Sequence, residues 1–276
     1  MHHTNHWYGH AHVLARYCGL PEGRPPRIHG YLQHGWNVLD GYGTYQPFEP
    51  GWTRFVWSDA CRRRGWTMGR RGYYVIGAPW NYLRALEPAA SAPEERTGTI
   101  WYPFHGWENQ HVTGDHQRLI DEIREVEREP VTVCLYWLEY DDERIRGLYE
   151  SAGFRVISHG FRGLYYRRSN PAFLPGQLAE LRRHRRVASN RLSTAILYGI
   201  SAGCEPAVYG DPMELDNAHP IFGGMARLRR LWPELHGAEI DLPVAREIAD
   251  TELGTNHLVT PAELRELFGW RQEAAA

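Results

Sequence analysis

From Arg186 to Tyr209 the chain reads strand, small-residue turn, helix, glycine, strand, and that order leaves few folds open. Arg186-Val-Ala188 is a short β run and Ser189-Asn190 a turn. Leu192, Ala195, Ile196 and Ile200 then recur at helical spacing until Gly203 stops the helix, and Pro206-Ala-Val-Tyr209 reads as a short buried strand. Ser189 or Asn190 is the expected N-cap. The hydroxyls of Ser189, Ser193 and Thr194 then fall in the first turn of a helix that follows a strand. Unpaired backbone N–H groups and the positive end of the helix dipole make such a turn a seat for an anion. In an α/β sheet it is also where ligands gather, at the carboxyl ends of strands.

The same alternation runs the length of the chain. Strands are expected at 27–33, 54–57, 73–76, 99–103, 131–136, 154–157 and 186–188. Helices are expected at 6–17, 60–68, 80–86, 115–129, 141–152, 172–182, 213–231, 244–253 and 261–268. Strands alternating with helices argue an α/β fold of parallel sheets with helices on both faces. Residues 87–97, rich in Ala, Pro, Ser and Glu, read as the main linker. The expected division is 1–90, 97–242 and 243–276: two Rossmann-like lobes facing a cleft, with the last helices packing back across them.

Lysine is absent, and all 31 basic side chains besides histidine are arginine. That excludes a P-loop lysine, a Schiff-base lysine and a lysine general base. A phosphate clamp here must use Arg, His, hydroxyls or backbone N–H groups, and the arginine fork suits phosphate. A net charge of −2 gives no general pull toward nucleic acid or anionic membranes. No apolar run reaches membrane-spanning length and the His-rich start does not read as a secretory signal, so a cytoplasmic protein is expected. Cys18, Cys61, Cys134 and Cys204 lie far apart without CxxC spacing and read as reduced core residues. Several aromatic side chains adjoin glycine: His34-Gly-Trp36, Gly51-Trp52, Gly65-Trp66 and His105-Gly-Trp107. Flat rings on such loops stack on sugars or bases, or anchor the loop.

Four expected strand ends deliver chemistry: Gln33-His34-Gly35, Gly77-Ala78-Pro79, Phe104-His105-Gly106 and Ser158-His159-Gly160. A histidine there can face a ligand, and its ordinary pKa suits acid–base work near neutrality. It can equally be a loop histidine bonded to backbone. The start of the chain, with His2, His3, His6, His10 and His12, is dense enough to bind a metal, but no Glu follows His6 as HExxH requires. It reads as a loose, tag-like end, and no metal site is expected. Arg182-Arg-His-Arg-Arg186 reads as a solvated basic face that could also attract a phosphorylated donor.

Taken in order, Gln33-His34-Gly35, Gly41 or Gly43, a strand near Trp57, Ile76-Gly-Ala-Pro-Trp-Asn81 and Ala188-Ser-Asn-Arg-Leu-Ser-Thr194 resemble a known series. It is that of the GT-B enzymes related to CDP-glycerol glycerophosphotransferases and capsular polysaccharide glycosyltransferases. The resemblance spans about residues 28–212. Trp36-Asn37 stands where the family has a lysine, and Trp80 where its GxPRxD loop has arginine. The resemblance implies a GT-B-like fold with a shortened N-terminal acceptor-side lobe and a C-terminal nucleotide-binding lobe. It implies an inverting, metal-independent glycosyltransferase of bacterial polysaccharide or secondary-metabolite biosynthesis. A nucleotide-diphosphate sugar is the co-substrate, with no further cofactor, and a hydroxyl- or amine-bearing molecule or glycan is the acceptor. His34 would be the general base and His105 a phosphate contact. Gly77, Ser189, Asn190, Ser193 and Thr194 would line the donor site, with Arg162 or Arg191 neutralising the leaving group and Glu205 or Glu214 on ribose. The short first lobe leaves room for a homodimer that shares the acceptor side. An epimerase or hydrolase on the same scaffold, and a non-catalytic nucleotide-binding or assembly protein, stay open beside this reading.

Overall fold

The computed structural model describes residues 3–21, 23–43, 48–89, 96–163 and 169–270; residues 90–95 of the expected linker, and His2, lie outside them. The chain forms two units. One comprises Met1–Ala90, Phe161–Pro175 and Asp250–Ala276, the other Ser91–Gly160 and Gly176–Ala249.

In the first unit a 3-10 segment, His3–Gly9, kinks at Trp7 and Tyr8 and runs into α1 (His10–Tyr17). Far from being a loose end, this segment is core: His6, His10 and His12 are buried beside Ala11, Leu14 and Ala15. A small parallel sheet follows, ordered β1 (Tyr31–Leu32), β2 (Arg54–Val56), α2 (Asp59–Thr67) and β3 (Tyr73–Val75), with α3 (Pro79–Leu86) after it. The expected strand at 27–33 shrinks to two residues. The His29 N–H is bonded to the Phe268 carbonyl instead of a strand, and Gly30 bends at φ 151 with Phe55 and the Thr53 carbonyl against it. Ser58 caps α2 by accepting a hydrogen bond from the Cys61 N–H.

In the second unit the elements run β4 (Thr99–Trp101), β5 (Val112–Thr113), α4 (His116–Val126), β6 (Val131–Cys134), α5 (Trp137–Asp141), α6 (Glu143–Ser151), β7 (Arg155–Ile157), α7 (Phe173–Arg183), β8 (Arg186–Ser189), α8 (Thr194–Ser201), β9 (Glu205–Val208), β10 (Glu214–Leu215) and α9 (Gly224–Leu231). Five strands form one parallel sheet in the order β7-β6-β4-β8-β9. β5 and β10 pair antiparallel as a separate ribbon. α4 buries Leu119, Ile120 and Ile123 against Trp101, Val133 and Ala188 of the sheet. Each such side chain contributes about 1.5–3 kcal/mol. The chain ends in α10 (Leu242–Leu253) and α11 (Pro261–Phe268), the latter started by a Thr260–Glu263 capping box.

The α/β class and parallel sheets match expectation. The helix expected at 141–152 is found as α6, started by Asp142, which accepts hydrogen bonds from the Arg144 and Ile145 N–H groups, with the short α5 ahead of it. One long helix does not match. The helix expected at 213–231 becomes β10, a 3-10 turn at Pro220–Phe222 and α9, because Gly223 and Gly224 adopt φ 68 and 55. Among the described residues no helix is long and apolar enough to cross a membrane.

Candidate functional site

In the order β7-β6-β4-β8-β9 the chain runs outward from β4 through β6 to β7, then crosses back to β8 beside β4 and continues outward the other way to β9. The gap between β4 and β8 is therefore the topological switch point, where α/β sheets open a crevice at their carboxyl edge. The two loops flanking it are fixed to each other. Asn190 accepts a hydrogen bond from the Phe104 N–H (2.7 Å) and donates one to the Asp211 carbonyl (2.6 Å). Arg191 lies 3.9 Å over the Phe104 ring and donates to the carbonyls of Pro212 (2.6 Å) and Met213. Asn190 and Arg191 thus hold loops together, rather than capping a helix or standing free for a phosphate. Burial lowers the Arg191 pKa, against the charges of Glu214 and Asp211.

The start of the helix is one turn further along than expected. Ser189 is the last residue of β8, and its hydroxyl accepts from the Arg191 N–H (3.2 Å). Ser193 is the N-cap of α8, extended at φ −144, ψ 172, and its side chain makes no capping bond. Thr194 opens the helix. α8 then ends at Ser201, with Gly203 at φ 94 as its stop. On the β4 side, exposed His105 stacks on Tyr136 with ring centroids 4.2 Å apart and 14° between planes. Its Nδ1 donates to the Gly106 carbonyl (2.6 Å), which fixes the tautomer and leaves Nε2 as the acceptor in the neutral ring. Farther along the same edge His159 bonds Tyr102 through Nε2 (3.1 Å), and burial lowers its pKa to about 4.

Glu205 stands apart from this group. Strand register pairs Arg186 with Glu205 and Ser189 with Val208, so Glu205 is at the amino end of β9, opposite the crevice, and forms an ion pair with Arg185 (2.5 Å). The basic run before β8 is tied down at that end too: Arg183 pairs with Glu180, Arg186 with Glu127, and His184 bonds Thr132. Glu214 lies in β10.

The remaining candidates belong to the first unit. His34 meets Trp7 edge-on at 4.6 Å, and Arg162 lies 3.9 Å over the same indole. Nδ1 of His34 is buried without a hydrogen-bond partner. Burial, then the nearby charges of Arg162 and His10, lower the His34 pKa to about 3. His10 is lowered to about 3 as well, burial outweighing a hydrogen bond at the Gln33 backbone. Gly77, at φ 76, is a packing position: a Cβ would stand 3.0 Å from the Gly254 carbonyl. Trp80, at the family's arginine position, is wholly buried. Among the described residues no group of three or more His, Cys, Asp or Glu is arranged to hold a metal ion.

The sequence reading missed two groups. Trp7 and His10 around His34 are hidden from sequence because nothing local marks the start of the chain as core. A recess of about 370 Å³ at the end of β9 is lined by Asn190, Tyr209, Gly210, Met225, Arg229 and His236 among others. Its wall from α9 and the following loop carried no motif.

No protein-family model and no curated protein matches the sequence. Solved structures do. One is described as a UDP-N-acetylglucosamine 2-epimerase from Listeria monocytogenes, with 13% identity, 74% of this chain and 51% of that one, and TM-score 0.38. Another is the wall teichoic acid polymerase TagF, with 10% identity, 78% and 53% coverage, and TM-score 0.35. A third is TarM of S. aureus in a complex that includes UDP, with 9% identity, 78% and 41% coverage, and TM-score 0.33. The chain spans about half the length of the structures it matches.

Proposed function

We propose that this chain is a glycosyltransferase that uses a nucleotide-activated sugar, with the donor phosphates seated at the start of α8. The observation that carries the reading is the coincidence of the β4–β8 switch point with an uncapped helix start at Ser193. Ser193 and Thr194 supply hydroxyls, the first turn of α8 supplies N–H groups and positive dipole, and His105 lies on the facing loop. Without lysine, these groups and arginine are the chain's means of holding phosphate. Fixed donors there would stabilise the charge that builds on a departing phosphate without a metal, and direct attack of the acceptor on the anomeric carbon, which inverts it, completes the proposed transfer.

For the acceptor we propose His34 as the group that takes the hydroxyl proton. Its depressed pKa keeps it neutral across physiological pH, so it is always ready to accept. The same shift makes it a weak base, effective only as negative charge builds beside it. Turnover should therefore show no acidic limb near pH 6.5 from this residue.

Replacing Ser193 and Thr194 together by Ala is expected to weaken binding of UDP, CDP or GDP, whichever binds the wild type, at least tenfold with the fold intact. Hydrogen bonds to charged groups contribute about 1.5–3 kcal/mol each. Calorimetry and circular dichroism on the same samples read both. Unchanged affinity would return the turn to a plain helix start. Donor turnover without any added acceptor would instead favour the epimerase or hydrolase reading.

A further inference from the structure

The recess at the end of β9 has features that the nucleotide-sugar reading does not use. At about 370 Å³ it lies at the small end of ligand pockets, the size for a monosaccharide or short polyol. The Tyr209 ring, Val208 and Met225 give it apolar wall, while Gly210 and Gly237 present backbone without side chain. The Tyr209 hydroxyl is spent elsewhere, donating to Glu127 (2.7 Å) and accepting from Trp101 (3.1 Å). Two lining groups are unspent. Arg229, exposed on α9, has no ion pair or hydrogen bond among the described residues. His236 donates from Nδ1 to the Trp232 carbonyl (2.8 Å), and its Nε2 is buried without a partner. Burial lowers the His236 pKa despite that hydrogen bond, and Arg229 lowers it further. The ring is therefore neutral, with Nε2 an acceptor that lacks a donor. A buried acceptor left in this state is costly, and a ligand donor would relieve it.

We infer that this recess binds a small anionic polyol: Arg229 takes its phosphate or carboxylate, and His236 accepts a hydrogen bond from one of its hydroxyls. The cation and the acceptor require both features in one ligand, and the apolar wall suits the carbon face of a sugar. The recess shares no lining residue with the proposed phosphate seat at Ser193, Thr194 and His105, so the inference does not rest on the nucleotide-sugar reading.

The test is calorimetric titration of the full chain with glucose 6-phosphate, gluconate, glucose and inorganic phosphate. One of the two anionic polyols is expected to bind in the millimolar range or tighter, and which one distinguishes phosphate from carboxylate. Glucose and inorganic phosphate, each lacking one recognised feature, should bind at least tenfold more weakly. Arg229→Gln, at an exposed position, should weaken the bound polyol at least tenfold and leave UDP, CDP and GDP affinity unchanged. His236→Phe should weaken it as well, and His236→Gln, which keeps an acceptor, less so. The inference is overturned if neither anionic polyol binds, or if Arg229→Gln binds as wild type does. It is overturned equally if Arg229→Gln lowers nucleotide affinity, which would make the recess part of the donor site.

Discussion

Lowering the pH from 7 to 5 is expected to remove about 4 kcal/mol of stability from the first unit, through His10 and His34 alone. Both imidazoles are lowered from 6.5 to about 3 in the folded chain. Between those values the unfolded chain binds a proton at each site and the folded chain does not, so acid favours unfolding. The loss begins near pH 6.5 and is complete near pH 3. At pH 5 it amounts to about 2 kcal/mol per imidazole, since one pKa unit is 1.36 kcal/mol. That is a large share of the 5–15 kcal/mol that holds a typical domain together. Hydrogen exchange of the α1 amides against pH reads the effect locally, without requiring the two units to unfold together. A His10→Asn, His34→Gln double variant should lose this component, so its protection should fall less than wild type's between pH 7 and 5. Parallel curves, or a native-state imidazole titration near 6.5 at either residue, would refute the assignment.

What the sequence made legible is what local chemistry decides. The strands of the second unit are apolar runs flanked by helical periodicity, and seven of the eight expected strands, the run at 206–209 included, are found within two residues of their bounds. α11 falls at 261–268 as expected because Thr260, Pro261 and Gly269 mark both ends. The misses are tertiary. Nothing local marks His6, His10 and His12 as core; they are buried by neighbours such as Trp57, which lies 6.2 Å from His10, ring to ring. The β5–β10 ribbon joins two-residue strands about a hundred positions apart, too short for a period to register. The turn at 189–193 was legible as a turn, but the duties of its side chains were not. Asn190 and Arg191 have the chemistry of phosphate ligands and are occupied by carbonyls and a backbone N–H brought in from other loops.

Gly254→Ala is expected to destabilise the first unit by about 4 kcal/mol or more, with a far smaller loss for Gly77→Ala. The two glycines face each other where β2, β3 and α10 end. An added Cβ at Gly254 would stand 1.8 Å from the Trp57 carbonyl oxygen, a backbone atom with no rotamer to escape into. Gly254 also sits at φ 64, where a Cβ costs roughly 1–2 kcal/mol before any clash. Relieving the overlap requires a backbone shift, and overpacking of this kind typically adds about 1–3 kcal/mol, occasionally more. At Gly77 the nearest atom is 3.0 Å away, so the left-handed backbone dominates and the loss should be about 1–2 kcal/mol. The consequence reaches the candidate base. Trp57 donates its backbone N–H to the Gln33 side chain (2.9 Å) and its indole N–H to the Gln33 carbonyl (3.2 Å), next to His34. Displacing Trp57 should therefore loosen the His34 loop along with the sheet. Urea unfolding gives the stability loss, and hydrogen exchange at Gln33 and His34 gives the local one. Equal effects at the two glycines would mean that backbone conformation, not the approach to Trp57, sets the cost.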